Sequence, residues 1–510
     1  MPPLPQQTAP PGSENVKFTL QALSVEGATV YSSETLTAPY STLLGQELSL
    51  ARLYALANEM TARYRNDGYL LSSVVVPAQT VSEGKIRLQA VEGYLAAVEF
   101  EGELENRRGM YERIRQRLLA QRPLRTATLE RQMLLLNDLP GVSAQAVLQP
   151  AQESGAANLT VRVGVASVAA NVGATNRGSE VQGPVQYDAS LDLRSLLTLH
   201  DATTLRYLQS SERDELWLAA VSHTERLSAQ GLDWTLAGSV SRSSPELGED
   251  FAELNLETDT DQASMHLAYP FVRSRTANLR GRLALTYHDG LTDSEFGELS
   301  RDVISAVRVG LSFDTVDAWR GVNLIDLEYS RGIGAFGSSE FGDPFASRIG
   351  GEPEFSKATL YIARLQSLAP RFSVLLAASG QAAFDNLLAP EEFAFGGEFY
   401  GRAYDPSEVV GDSGAAGKVE LRFTVDNPGS FSVTLYGFYE TGYVWRKLDS
   451  SEAGAADEDD ASSAGGGVRF NFGPYVSGYV EGAVPLDHIV AAEGNDDARV
   501  FGGIKVSFGQ

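Results

Sequence analysis

Five histidines, His200, His223, His266, His288 and His488, are the side chains best suited to metal or acid-base work in this chain, and their spacing gives neither HExxH nor a close pair. Cysteine is absent, which removes thiolate metal sites, a cysteine nucleophile and any disulfide framework. No G-x-S-x-G elbow and no Walker-type phosphate loop occurs. The run Asp457, Glu458, Asp459, Asp460 could collect a divalent cation, yet it lacks the glycine and spaced ligands of a calcium loop, so a solvated acidic loop is expected. Arg107, Arg108, Arg113, Arg115, Arg117 and Arg122 crowd one helical segment. They could meet anionic headgroups or an acidic partner, and the plainer reading is a solvated helix face. The chain reads as no enzyme, with no metal and no cofactor.

Chemistry of this kind has to be positioned by something, and the elements fall into two halves. At 510 residues and 43% hydrophobic, the chain is long enough for at least two folding units. Its 41 Lys and Arg against 66 Asp and Glu give a net charge of -25, which argues against nucleic acid as a partner. Residues 1–15 hold five prolines among the first eleven, lack the basic and apolar regions of a signal peptide, and read as a flexible proline-rich leader. From 16 to about 165 strand-like and helix-like segments alternate. Leu53, Leu56, Met60 and Tyr64 recur at helical spacing up to a stop at "NDGY". "SSVVVPAQ" and "KIRLQAVEG" then read as strands, giving β-α-α-β-β over 16–92. The pattern returns over 93–165, with Thr126 a candidate N-cap of its second helix.

Pro77 cannot donate to a strand ladder, so Ser73, Val74, Val75, Val76, Pro77 and Gln79 read as a strand at a sheet edge. An extended client could add there as a further strand, or the proline could simply protect the edge from aggregation.

From 166 to 510 the pattern is short alternating strands, 16 in all, with tight connections ("TLHD", "SAQG", "RSRT", "AWRG", "AP", "DNPGS", "GP") alternating with mostly longer, acidic ones. In "PVQYDASLDLR", Val185, Tyr187, Ala189, Leu191 and Leu193 oppose Gln186, Asp188, Ser190, Asp192 and Arg194. In "KVELRFTV", Lys418, Glu420, Arg422 and Thr424 oppose Val419, Leu421, Phe423 and Val425. No run of about 18 apolar residues exists, so no helix spans a membrane, but a barrel leaves no such run. The even strand count, the loop alternation and the faces predict an antiparallel transmembrane β-barrel with lipid outside and a polar lumen.

"YRNDGYLLSSVVVPAQTVSEGKIRLQAVEGYLAAVEFEG", with Tyr64, Gly68, Tyr69, Pro77, Gln79, Gly84 and Val91 to Gly93, resembles the POTRA domain of two-partner secretion transporters. "LERQMLLLNDLPGV" is similar to the same family's second POTRA domain, and "YPFVRS" extends the match into the barrel. The resemblance implies an α+β pair of tandem POTRA domains followed by a 16-stranded antiparallel barrel over 166–510. It also implies a loop, 386–417, folded into the lumen and tipped in the family by Val-Arg-Gly-Tyr. Here the tip is Gly401, Arg402, Ala403, Tyr404, so the glycine has moved or been replaced. The family's wall motif Phe-x-Asp-x-Gly is matched by Phe438, Glu440 and Gly442, with Glu for Asp. Strand parity agrees: Phe431, Val433, Leu435, Tyr439, Tyr443 and Trp445 take one face and Phe438, Glu440 and Gly442 the other. Without the motifs, Arg402 reads as a solvated loop residue and Glu440 as one of many lumen acids; with them, a bidentate Arg402–Glu440 pair is expected.

What the resemblance implies is a bacterial outer-membrane pore, with POTRA domains in the periplasm. Those domains would capture the N-terminal secretion domain of an unfolded haemolysin- or adhesin-like exoprotein and pass it through the lumen (type V secretion). Its other contacts would be membrane lipid and lipopolysaccharide, and the chain would act as a monomer. The alternatives are insertion or assembly of other outer-membrane proteins with the same parts, or a substrate-selective pore.

Overall fold

The computed structural model describes residues 7–81, 83–102, 108–179, 183–195, 201–212, 216–227, 234–244, 256–427, 429–447 and 458–509. The chain divides into two compact units, Met1–Asp138 with Val142–Val165, and Leu139–Gly141 with Ala166–Gln510.

The first unit contains two α+β domains. In the first domain β1 (Lys17–Thr19) and β2 (Ala22–Glu26) precede α1 (Ser33–Thr37), β3 (Glu47–Ser49), α2 (Leu50–Asn66), β4 (Ser73–Val75) and β5 (Lys85–Val91). The strands β2-β5-β4 form one sheet, with β2 and β5 parallel, while β1 and β3 pair separately. The expected β-α-α-β-β core is therefore interrupted by the small β1-β3 ladder, whose three-residue strands are too short to leave a period in the sequence. Helix α2 is set by Ser49, whose hydroxyl accepts from Arg52 N–H at 3.2 Å, and its apolar stripe Leu53, Leu56, Met60 and Tyr64 is buried against the sheet. Residues 7–15, expected to be a flexible leader, are held: Asn58 Nδ2 donates to Gln7 O at 3.2 Å and Ser13 is buried.

The second domain runs β6 (Tyr94–Gly102), α3 (Arg108–Leu119), α4 (Thr126–Asn137), β7 (Val142–Pro150) and β8 (Ala156–Val165), in sheet order β6-β8-β7. Thr126 does not cap α4. Arg125 occupies the cap position, and the Thr126 backbone N–H and hydroxyl both donate to Gly68 O, at 2.8 and 2.9 Å, tying the two domains together. Of the arginine run, Arg115 donates to Val98 O at 2.8 Å and Arg122 stacks 4.0 Å from the Tyr94 ring centre, so both brace their own domain. Arg107 lies outside the described residues.

Sixteen strands of the second unit close a barrel among the described residues. They begin with β9 (Val168–Thr175), β10 (Gln186–Arg194), β11 (Asp201–Ser210), β12 (Trp217–Leu227), β13 (Trp234–Ser244) and β14 (Glu257–Arg273). Next come β15 (Ala277–Ser294), β16 (Gly297–Val316), β17 (Gly321–Gly332), β18 (Ser356–Ala369) and β19 (Phe372–Ala383). A two-stranded hairpin, β20 (Phe393–Phe395) and β21 (Val409–Gly411), interrupts the series before β22 (Ser413–Asn427). The wall ends with β23 (Phe431–Trp445), β24 (Glu458–Phe472), β25 (Val476–Pro485) and β26 (Arg499–Phe508), which pairs with β9. Every neighbouring pair is antiparallel, and alternate residues such as Tyr207, Val221, Val240, Leu283 and Leu435 stand exposed on the outer face. Such a continuous apolar surface suits hydrocarbon rather than water.

Three expectations are adjusted here. Residues 413–417 belong to β22, so the segment leaving the wall is 384–412. Glu458, Asp459 and Asp460 start β24 rather than forming a loop, and Asp459 Oδ1 lies 2.8 Å from His488 Nε2; Asp457 lies outside the described residues, as does His200. Strands β15 and β16 run so far that only Glu295 and Phe296 join them, in place of a long connection.

Candidate functional site

The wall strand β23 alternates strictly from Leu435 to Trp445, exposed at odd positions and buried at even ones. This parity aims Tyr436, Phe438, Glu440 and Gly442 into the barrel, where the hairpin β20-β21 lies. Gly442 is there for space. A Cβ on it would come 2.2 Å from the Phe395 ring, just as one on Gly414 would come 2.2 Å from Phe393. Both glycines open a flat berth in the wall for the hairpin's aromatics.

The tip beyond the hairpin carries Arg402 into the barrel wall. Its Nε donates to Glu440 Oε1 at 2.8 Å and its backbone N–H to Oε2 at 3.0 Å, so one residue covers both carboxylate oxygens. Nη1 reaches Glu481 on β25 at 2.8 Å and Glu420 on β22 at 3.0 Å. The guanidinium carbon sits 3.5 Å from the centre of the Phe438 ring, a cation–π contact in a water-poor site. Gly465 makes room for that ring: a Cβ there would lie 2.6 Å from Phe438 Cζ.

The pair is thus part of a larger network. Glu420 also accepts from Arg469 at 2.7 Å and Arg422 at 2.7 Å, and Glu481 accepts from Arg177 and from the Tyr436 hydroxyl at 2.8 Å. Glu440 has no comparable reserve, since among the described residues Arg402 supplies its charged hydrogen bonds. The side chains of Arg402, Glu420, Glu440 and Glu481 are at most 4% exposed. Removing Arg402 would therefore leave Glu440 buried without its charged hydrogen bonds and with only the cross-strand Lys418 to offset its charge, a penalty of up to roughly 3–5 kcal/mol.

The remaining tip residues are also held. The Tyr404 hydroxyl donates to Ser462 O at 2.9 Å, and Arg499 bonds Ala403 O at 3.1 Å and Asp405 at 2.8 Å. Ala403 departs from the glycine of the family motif without strain. The left-handed residue of this turn is Gly401, with φ +73°, and Ala403 is not among the residues with positive φ. The sequence motifs point to Arg402 and Glu440. They do not single out Glu420 and Glu481, although parity puts Glu420 on the lumen face; the sequence lacks the register that brings three strands to one guanidinium.

The first α+β domain holds a second cluster. Glu92 accepts from the backbone N–H groups of Thr29 and Val30 at 2.8 and 2.9 Å, from the Tyr64 hydroxyl at 2.8 Å and from the Thr29 hydroxyl. Burial works to raise its pKa, and these hydrogen bonds outweigh burial, leaving it below the ordinary glutamate value. Tyr31 beside it, desolvated and bonded to Asp67, is pushed up to about 12. Gly93 lies against Leu71, where a Cβ would come 2.4 Å from Leu71 O.

At the β4 edge, Ser73 and Val75 pair inward with β5, and Val74 N–H and C=O are both bound by the Thr61 hydroxyl, at 2.8 and 3.3 Å. Val76 N–H donates to Gln7 Oε1 at 2.9 Å, and Gln79 braces Arg87 through both ends of its amide, at 2.9 and 2.7 Å. Pro77 lies beyond the strand rather than within it. Among the described residues no group of three or more His, Asp or Glu is arranged to hold a metal ion.

The sequence profile of the family described as haemolysin secretion/activation protein ShlB/FhaC/HecB matches residues 157–470. The chain belongs to this family. Residues 18–93 match the ShlB-type POTRA domain as well, so the hydrogen-bonded Tyr64–Glu92 cluster sits inside a POTRA domain. Among members of this group, the outer membrane transporter CdiB of Escherichia coli (strain 536) is 26% identical over 83% of this chain and 71% of its own length. The heme/hemopexin transporter HuxB of Haemophilus influenzae (strain 86-028NP) is 24% identical over 49% of this chain and 44% of its own, so the chain spans under half the length of that relative. The solved structure of Escherichia coli CdiB superposes with a TM-score of 0.78 at 21% identity, covering 99% of this chain and 93% of that one. That likeness covers the fold of nearly the whole chain, the α+β domains as well as the barrel.

Proposed function

We propose that this chain is an outer-membrane secretion pore: its POTRA domains take up an unfolded exoprotein in the periplasm, and the barrel passes it outward as the inserted hairpin yields. The observation that carries this reading is the Arg402–Glu440 contact, a buried charge pair between a loop tip and the wall, in a chain of the haemolysin secretion/activation family. Buried ion pairs contribute little net stability compared with apolar packing but are costly to break on one side, which suits a latch with two discrete positions. The related CdiB and HuxB are named as transporters, which supports transport here too. The partner is a secreted exoprotein, the outward apolar face meets membrane lipid and lipopolysaccharide, and the barrel works as a monomer.

The client's first contact is the β4 edge. Because Thr61 keeps the Val74 groups, an extended client segment gains its foothold at Val76, where the Gln7 amide now sits. The deciding experiment is deletion of the chain in its own bacterium, comparing secreted and outer-membrane proteins, with photo-crosslinkers at Val75 and Val76 to capture the client. Loss of one large secreted protein, and its crosslinking at Val76, is the expected result. A general fall in outer-membrane proteins instead would support an assembly role.

A further inference from the structure

The inserted segment 384–412 is attached at a second place that shares no residue with the Arg402 network. Glu391, at the start of the hairpin, is buried between two cations of the wall: Arg308 of β16, at 2.5 Å, and Lys357 of β18, at 2.7 Å. Lys357 Nζ also donates to the Glu391 carbonyl at 2.7 Å. Gln381 of β19 then ties both ends of the segment together, its Nε2 donating to Glu391 O at 2.9 Å and Asp412 O at 3.0 Å. Asp412, wholly buried, accepts from Leu387 N–H at 2.6 Å, Lys447 N–H at 2.7 Å and Arg348 Nη1 at 2.8 Å. Arg348 comes from the connection between β17 and β18 and reaches Leu387 O at 2.7 Å too.

These contacts engage a different part of the wall from those at the tip. Around Glu391 the base is held to β16, β18 and β19 by Arg308, Lys357 and Gln381, whereas the tip is held by residues of β22–β26. Between this base and the tip the backbone changes character. Gly396 and Gly397, with φ +127° and +96°, end β20, and Ser407, with φ +63°, precedes β21. These are left-handed positions where the chain leaves the hairpin ladder on each side, and a Cβ on Gly396 would meet Asp405 O at 2.2 Å. Between them the tip is closed on itself, Gly396 N–H donating to Tyr400 O at 3.1 Å and Gly397 N–H to Tyr404 O at 3.2 Å.

From this we infer that Glu391, Lys357 and Gln381 are positioning residues that keep the base of the hairpin docked, so that release of Arg402 moves the tip, residues 396–408, about Gly396–Gly397 and Ser407 rather than expelling the whole segment. This rests on the reading of Arg402 as a latch and specifies what the latch moves. It also limits the opening: the wall beside β16–β19 stays covered, and passage lies along the side that the tip vacates, facing β22–β25.

The absence of cysteine makes a direct test possible in the full chain, since each introduced thiol is unique. Ala403→Cys reports on the tip and Leu388→Cys on the base, both at buried positions. Each is placed in the native background, in Arg402→Ala, and in Lys357→Met with Glu391→Gln. Labelling by a membrane-impermeant maleimide is timed in membranes, and heat-modifiable gel mobility verifies the folded barrel. Arg402→Ala should speed labelling at 403 by about tenfold or more and leave 388 unchanged, because labelling follows the open population. Lys357→Met with Glu391→Gln should expose 388, and Lys357→Arg should restore its protection where mere loss of packing would not be rescued. Equal acceleration at 403 and 388 in Arg402→Ala would overturn the inference, since the segment would then leave as one body. No acceleration at 403 would instead remove the latch itself, and unchanged labelling at 388 in the double variant would remove the base clamp.

Discussion

Glu92, half-buried, and Glu440, wholly buried, both sit in short motifs, VEG and YETG, yet they are held in opposite ways. Glu92 is satisfied by neutral donors of its own domain: two backbone N–H groups and two hydroxyls. Glu440 takes its charged bonds from one arginine on a segment that folds back from elsewhere in the chain. A carboxylate bound by its own fold is a fixture, released only when the domain unfolds. One bound by a single inserted cation has a second state available, provided something else can hold the cation. Charge pairing across an insertion is what makes a contact separable, whereas local neutral donors make it permanent.

The contrast can be tested in order of expected effect. Arg402→Ala should cost up to roughly 3–5 kcal/mol at the latch. It should abolish secretion while leaving the barrel folded, checked by culture-supernatant protein and by heat-modifiable mobility; secretion at the normal level would make Glu440 as much a fixture as Glu92. Gly442→Ala comes next. Its Cβ would collide with the Phe395 ring, and forcing the hairpin off the wall should cost about 1–3 kcal/mol. The readout is raised pore conductance in planar bilayers with an intact Arg402; a native conductance would mean the berth is not needed.

Glu92→Gln should be the mildest, destabilising the POTRA domain by about 1–2 kcal/mol at neutral pH and leaving pore conductance untouched. Its pH dependence has a definite sign. The folded-state pKa of Glu92 is lowered, so its contribution is complete above the ordinary value of about 4.3 and is lost as pH falls through the folded value. Thermal melts of the full chain from pH 7 to pH 3 should show the POTRA transition falling in the native chain and falling less in Glu92→Gln. Parallel curves would assign the acid sensitivity to other groups.

Much of this is legible in the sequence. Two-residue alternation in "KVELRFTV" and "FSVTLYGFYETGYVW" gave the barrel and the lumen side of Glu420 and Glu440, because in a barrel one face must be polar and the other apolar over every strand. Local periodicity also gave α2, whose stripe needs no distant partner. What stayed hidden depends on register between distant strands. Glu481 lies 79 positions from Arg402, and nothing within "VSGYVEGAVP" says which guanidinium it meets. Thr126 misled for the same reason: its hydroxyl looked like a local cap, but the carbonyl it found was Gly68, in the preceding domain. The motif resemblance located Arg402 and the wall glycine, but only the Phe395 ring explains why residue 442 has no side chain.

The Arg402 latch also bears on the permeability of the cell that carries it. Releasing the tip has to give up the buried Arg402–Glu440 contact together with the Tyr404 and Arg499 bonds, so the held state dominates in the resting pore. An idle population would therefore add little to the leakage of bile salts, antibiotics and other small solutes across the envelope. Weakening the latch lowers that barrier, so sensitivity to such compounds becomes a growth phenotype that reports on the position of a single arginine.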